Sequence, residues 1–108
     1  MGQVSQFVTI VNKKGLHARA SAAFAKVAVE YGSKVTVKYD GLEVSAGHIM
    51  DLMMLVAHKG SEIEIVADGV DAEAALEALV ALVSDGFGEL ARDRSEETQS
   101  DTLQSDEP

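Results

Sequence analysis

Phe7, Val8, Thr9, Ile10 and Val11 make a β-prone run from Gln6 to Val11, closed by the turn-like Asn12-Lys13-Lys14-Gly15. From His17 to Tyr31 the period changes. Ala20, Phe24, Val27, Ala28 and Tyr31 recur at the spacing of one helical face, and Gly32 is placed to end that helix. Val35, Val37 and Tyr39 then alternate with Lys34, Thr36 and Lys38, as a strand with one buried face requires, and Asp40-Gly41 predicts a hairpin into Leu42-Glu43-Val44. Ser45-Ala46-Gly47 interrupts the pattern before a short apolar-rich helix containing Ile49, Met50, Leu52, Met53, Leu55 and Val56, ended near Lys59-Gly60. Ile63, Ile65 and Ala67 recur at alternate positions, with the acids Glu62, Glu64 and Asp68 among those between and around them, in a fourth strand, Asp68-Gly69 turns the chain, and a last helix runs from about Asp71 to Ser84. Its stripe is Ala75, Leu76, Leu79, Val80 and Val83.

The order β-α-β-β-α-β-α predicts an α+β fold. Each helix has one apolar stripe and the strands alternate, so the expected architecture is an open-faced sandwich, a four-stranded mostly antiparallel sheet with three helices on one face. A chain of 108 residues supports one core, and 46 % hydrophobic content is enough to build it. The domain is expected to span residues 1–90. After Gly88 apolar periodicity is lost, and residues 91–108, with six acids against two arginines, are expected to form a disordered acidic tail.

Charge and cysteine content narrow the function. A formal net charge of -9 opposes a polyanionic partner, so neither nucleic acid nor an anionic membrane surface is expected. With no cysteine there is no disulfide, no thiolate nucleophile and no thiolate metal site, and no His, Asp or Glu spacing suggests a metal centre. No cofactor is called for. The N-terminus lacks the basic start and apolar stretch of a secretory signal, and the cytoplasm is the expected compartment.

The chemistry concentrates where a loop hands over to the first helix. His17 sits at that helix's start, where backbone N–H groups lack intrahelical partners and the helix dipole is positive, a ready site for a phosphate or for the histidine that bears one. Lys13, Lys14 and Arg19, three of the nine basic residues, fall within seven positions around it. Arg19, on the first turn, can fork its guanidinium onto phosphate oxygens, whereas Lys13 and Lys14 read equally well as ordinary solvated lysines. Gly15 allows a tight turn just before the site.

Gly15-Leu16-His17-Ala18-Arg19, after a strand and opening a helix, resembles the active-site signature of the HPr family, the histidine phosphocarriers of bacterial phosphotransferase systems. The resemblance continues through Ile49-Met50 and Lys59-Gly60-Ser61-Glu62-Ile63 and covers roughly Phe7 to Glu89. It implies a phosphohistidine on His17 with Arg19 as counter-ion, and a phosphate loop of Gly15, Leu16, Ala18 and Ala20. The implied donor is enzyme I, charged from phosphoenolpyruvate, and the implied acceptor an enzyme IIA. Ile49, Met50 and Met53 match the family's docking surface. A monomeric shuttle rather than an enzyme is expected, with other regulated proteins as further partners.

Two positions depart from the family pattern. Ala20-Ser21 stands where most members carry proline after the arginine, and resembles the Gly-Leu-His-Ala-Arg-Ala-Ser variant of the nitrogen-type, regulatory branch. His48 stands where many relatives carry a serine phosphorylated by a dedicated kinase, so that input is expected to be absent. Ser45, three residues upstream, reads as a helix N-cap. His48 itself has no accompanying arginine, and His58 no partner pattern. The main alternative is a non-phosphorylated regulatory module with the same fold, which would need neither His17 nor Arg19. An acyl-carrier protein is opposed by the strands and by Val44-Ser45-Ala46 in place of an attachment motif, and a small nucleic-acid domain by the charge.

Overall fold

In the computed structural model the described residues are 2–95. Four strands, β1 (Gly2–Thr9), β2 (Lys34–Tyr39), β3 (Leu42–Ser45) and β4 (Glu62–Gly69), form one antiparallel sheet in the order β1-β4-β2-β3. Helices α1 (Ala18–Val29), α2 (Ile49–Met54) and α3 (Ala72–Ser84) interleave with them, and a short 3-10 turn, Gly86–Gly88, follows α3. The expected β-α-β-β-α-β-α order is present, and every strand pair is antiparallel.

Strand alternation decides which face is buried. Ile63, Ile65 and Ala67 of β4 and Val35 and Val37 of β2 point into the core, where they meet Phe24 of α1 and Leu79 and Val83 of α3; Phe24, Ile63 and Ile65 have no accessible surface. Glu62, Glu64, Lys38 and Phe7 lie on the open face, so the sheet is covered on one side only. The Asp40-Gly41 hairpin takes the left-handed conformation at both residues (φ 53° and 81°), as its sequence requires.

Several boundaries differ from the sequence reading. α2 ends at Met54 rather than near Lys59-Gly60, since Val56 turns left-handed (φ 53°), and Asp68-Gly69 belongs to β4, where it pairs with Gln3 and Gly2, instead of turning the chain. β1 starts at Gly2 rather than Gln6 and ends at Thr9, because its full length pairs with β4 from Gly2–Gly69 to Thr9–Glu62; Gln3, Ser5 and Gln6 take part through backbone bonds that carry no hydrophobic signature. α1 ends at Val29, and Gly32 is not its left-handed cap. Instead the Gly32 N–H donates to Asp71 Oδ2 at 2.8 Å. Asp71 also accepts from the Ser33 hydroxyl, joining the loop after α1 to the start of α3. A last difference lies at the C-terminal end: the chain is helical again over 90–95, largely within the stretch expected as tail, where Leu90 packs on Gly86 and Asp93 accepts the Lys13 N–H. The remainder of that expected tail, 96–108, lies outside the described residues.

Candidate functional site

The loop before α1 is held from below. Gly15 has φ +64°, and a Cβ there would stand 2.4 Å from the Ala57 carbonyl oxygen and 2.8 Å from the His58 Cα, so only glycine fits. The Leu16 N–H donates to the Ala57 carbonyl at 3.0 Å. Ile10 and the 60–61 turn exchange two further backbone bonds, Ile10 N–H to the Ser61 carbonyl and Gly60 N–H to the Ile10 carbonyl. The Lys59-Gly60-Ser61 stretch is thus the floor that fixes the height of the His17 loop. Leu16 and Ala20 are buried and the Ser21 hydroxyl donates to the Leu16 carbonyl, so these residues anchor the loop in the core, whereas Ala18 is exposed beside the histidine.

His17 occupies the N-cap position of α1, and its carbonyl accepts the first helical bond, from the Ser21 N–H at 2.8 Å. No side chain caps this end, and the first turn holds no acid. The helix therefore presents its N-terminal N–H groups and positive dipole end to whatever anion approaches. The His17 side chain is about a quarter exposed. Its Nε2 lies 2.8 Å from Oε2 of Glu89, a carboxylate that is itself only 7 % exposed. Nδ1 has no hydrogen-bond partner among the described residues.

Glu89 and Asn12 were not legible as site residues. The fully buried Asn12 donates through Nδ2 to the Gly15 carbonyl at 2.9 Å and to Glu89 Oε1 at 3.1 Å. One carboxylate therefore bridges the histidine and the loop that carries it. Asn12 Oδ1 is buried without a partner among the described residues. A further carboxylate, Asp93 Oδ2, accepts the Lys13 N–H at 2.8 Å. The only sequence signal for either acid was proximity to the end of the fold, where Gly86-Phe87-Gly88 marks a sharp turn.

The remaining predicted residues fall into three groups. Arg19 is exposed on the first turn of α1 and makes no ion pair with a described residue; Lys13 and Lys14 are exposed on the loop. On α2, Leu52 is buried while Ile49, Met50 and Met54 are exposed, Met50 at 71 %, and Met53 is half-buried; the exposed Val56 follows. α1 packs against α2, which puts the methionine face beside the helix that begins at His17. His48, 70 % exposed, is the N-cap residue of α2, with Nδ1 3.5 Å from Asp51 Oδ2. Ser45 is therefore not the cap: it ends β3, and its hydroxyl accepts the Gly47 N–H at 3.4 Å. His58 is exposed, away from any cluster of ligating side chains. No helix among the described residues is long and apolar enough to cross a membrane.

A one-sided antiparallel sandwich that offers a histidine at an uncapped helix N-terminus has the architecture of a small histidine-bearing carrier domain. The profile of the family described as "PTS HPr component phosphorylation site" matches residues 4–85, and the chain belongs to this HPr family of phosphotransferase-system phosphocarriers. The phosphocarrier protein HPr of Cupriavidus necator is 46 % identical over 81 residues, covering 75 % of this chain and 91 % of the relative. The phosphocarrier protein NPr of Shewanella violacea is 39 % identical over 89 residues, covering 82 % and 98 %. Among solved structures, the phosphocarrier protein HPr of Bacillus anthracis superposes with a TM-score of 0.74 at 40 % identity, covering 77 % of this chain and 99 % of that one.

Proposed function

We propose that His17 is the phosphoryl acceptor, that it receives the group from enzyme I and that it delivers it to an enzyme IIA. The observation that carries this reading is the division of labour on the imidazole: Nε2 is engaged by Glu89 while Nδ1 has no partner among the described residues at an uncapped helix N-terminus. A carboxylate accepts only, so the Nε2–Glu89 bond selects the tautomer with the proton on Nε2 and leaves the lone pair on Nδ1. Nδ1 attacks phosphorus as the donor's bond to phosphorus breaks, and that bond's electron pair returns to the donor. The Nε2 proton stays in its bond to Glu89, whose negative charge offsets the positive charge the ring acquires. Delivery to the acceptor is the reverse step.

Positioning and charge supply most of the catalysis in phosphoryl transfer, and both are within reach of this site. Arg19 serves as counter-ion to the phosphoryl oxygens, aided by the N-terminal N–H groups of α1. Ile49, Met50 and Met53 dock the partners, methionine suiting a surface that accepts more than one. The protein acts as a stoichiometric carrier in the cytoplasm, as a monomer. Ala20-Ser21 and the NPr relative favour the regulatory nitrogen-type branch, whereas the relative at 46 % identity carries the HPr name. A competition between nitrogen-type and sugar-type enzyme I for this acceptor decides the branch. Because imidazole cannot form a seryl phosphate, His48 removes the kinase input that a serine at that position provides to relatives; phosphate recovered on Ser45 after incubation with that kinase and ATP would overturn this.

The central test is intact-mass analysis of wild type and His17→Ala after incubation with enzyme I, phosphoenolpyruvate and Mg²⁺. A single acid-labile phosphoryl adduct on wild type only is the expected result. An adduct that persists in His17→Ala would move the acceptor elsewhere.

A further inference from the structure

Residues 89–95 follow the stretch that the family profile matches, yet they return to the loop that carries His17. Gly86, Phe87 and Gly88 are all left-handed (φ 64°, 57° and 76°), a reversal that turns the chain back after α3. Leu90 lies over Gly86 so closely that a Cβ on Gly86 would meet its Cγ and Cδ2 at 2.6 Å, which fixes the path out of the turn. The Asp93 N–H then donates to the Glu89 carbonyl at 2.8 Å, placing the two acids one helical turn apart. Both face the same loop. Glu89 takes Asn12 Nδ2 and His17 Nε2, and Asp93 takes the Lys13 N–H.

Phe87 is bulky and left-handed, a conformation that persists only where the surroundings hold it. Phe87 packs half-buried against the core, which holds the turn itself. Ala91, Arg92, Arg94 and Ser95 are exposed, so beyond Leu90 burial of apolar area does little to hold the segment down, and the polar contacts of Asp93 and Glu89 contribute to holding it. Each reinforces the other, since the helical bond between them makes the segment one unit. Loss of the Asp93 contact would let the segment relax, and Glu89 would leave the imidazole with it.

We propose that residues 89–95 form a strap across the His17 loop, in which Asp93 is a positioning residue that acts through Glu89 to hold the His17 ring in its reactive tautomer. Glu89 is the arm that touches the ring; Asp93 is the clasp that keeps the arm in place. This deepens the carrier reading of His17 and rests on it for its kinetic consequence, but the clasp itself is a property of the unphosphorylated protein.

The experiment compares wild type, Asp93→Ala, Asp93→Asn, Glu89→Gln and the Glu89→Gln/Asp93→Ala double variant of the full chain. Three readouts are taken: the ¹⁵N shifts of the His17 imidazole, hydrogen exchange at the Lys13 amide, and the rate of phosphoryl acceptance from enzyme I. Asp93→Ala is expected to accelerate Lys13 exchange, to move the imidazole shifts toward a mixture of tautomers, and to slow acceptance about tenfold, the low end for loss of an orienting partner. Asp93→Asn keeps an oxygen that accepts the Lys13 N–H and is expected to recover most of all three. In the Glu89→Gln background Asp93→Ala is expected to add little to the changes in imidazole shifts and acceptance rate, because both changes break one chain of contacts. Unchanged imidazole shifts in Asp93→Ala, or an undiminished effect of Asp93→Ala on the imidazole shifts and the acceptance rate in the Glu89→Gln background, overturns the strap; Lys13 exchange, set by Asp93 directly, is expected to accelerate in either background. Wild type that accepts no phosphoryl group overturns the carrier reading instead, while the imidazole shifts and the Lys13 exchange still decide the strap.

Discussion

Glu89 Oε2 stands 2.8 Å from His17 Nε2, although 72 positions separate the two residues in sequence. A buried carboxylate on one ring nitrogen fixes which nitrogen carries the proton and which way the ring faces. The site is therefore assembled from both ends of the fold, the loop before α1 and the turn after α3.

Replacing Glu89 by glutamine keeps the shape and removes the charge. Glu89→Gln is expected to slow phosphoryl acceptance by about ten- to a hundredfold, by analogy with the loss of a carboxylate that orients a metal-ligating histidine. Stopped-flow or quenched-flow phosphorylation by enzyme I measures it, with circular dichroism to confirm that the fold is retained.

Gly15→Ala adds a methyl group where the Ala57 carbonyl oxygen stands at 2.4 Å, at a residue with φ +64°. Left-handed strain and the clash together are expected to destabilise the fold by about 2–3 kcal/mol, since neither the backbone nor the neighbouring carbonyl can yield freely. Urea denaturation reads this as a lower midpoint, and the Leu16 amide, bonded to the same carbonyl, should lose exchange protection.

The carboxyl of Asp71 is held below its ordinary value of 3.8, first by the Ser33 hydroxyl and then by the Gly32 N–H. A depressed carboxyl stabilises the fold fully above the unfolded value and loses that contribution as pH falls through the folded one. Asp71→Asn is thus expected to be less stable than wild type at pH 7, with the difference shrinking as the pH drops below about 4. Denaturation midpoints of both proteins at pH 7, 4 and 2.5 check the sign.

Met50 is 71 % exposed and contributes little to the core, while Leu52 beside it has no accessible surface. Met50→Asp is expected to change stability by less than about 0.5 kcal/mol. If α2 docks the partners, the same change weakens binding to enzyme I at least about tenfold, as loss of a central apolar anchor does. NMR titration with enzyme I distinguishes this from a surface that partners do not touch.

Sequence periodicity carried the parts of the fold that bury one face. β2 and α3 alternate or repeat because their inward positions meet the core, and their limits were legible to within a residue or so; β4 was read two residues short, because Asp68-Gly69, which reads as a turn, pairs with Gln3 and Gly2 of β1. β1 was read four residues short at its N-terminal end because Gly2, Gln3 and Ser5 enter the sheet through backbone pairing with β4, and pairing of that kind leaves no mark on side-chain type. The histidine and its loop were legible from local chemistry, a helix start with basic neighbours. Glu89, Asn12 and Asp93 were not, because their roles exist only where distant segments meet; in sequence, each is an ordinary polar residue near a turn. Ser45 and Gly32 were misread for a related reason. Both types often cap helices, but the Gly47 N–H took the Ser45 hydroxyl and Asp71 took the Gly32 N–H.

The pairing of β1 with β4 has a consequence in time. Gly2 finds its partner in Gly69, so the first strand to leave the ribosome has no place in the sheet until the fourth has been made. Loop closure over that span is entropically opposed until the intervening hairpin and helices offer a surface to land on. The setting of His17 is finished later still, when Glu89 arrives. A growing chain therefore exposes its histidine long before that histidine is held in its final geometry, and synthesis itself sets the order in which the sheet closes first and the setting of the histidine is completed last.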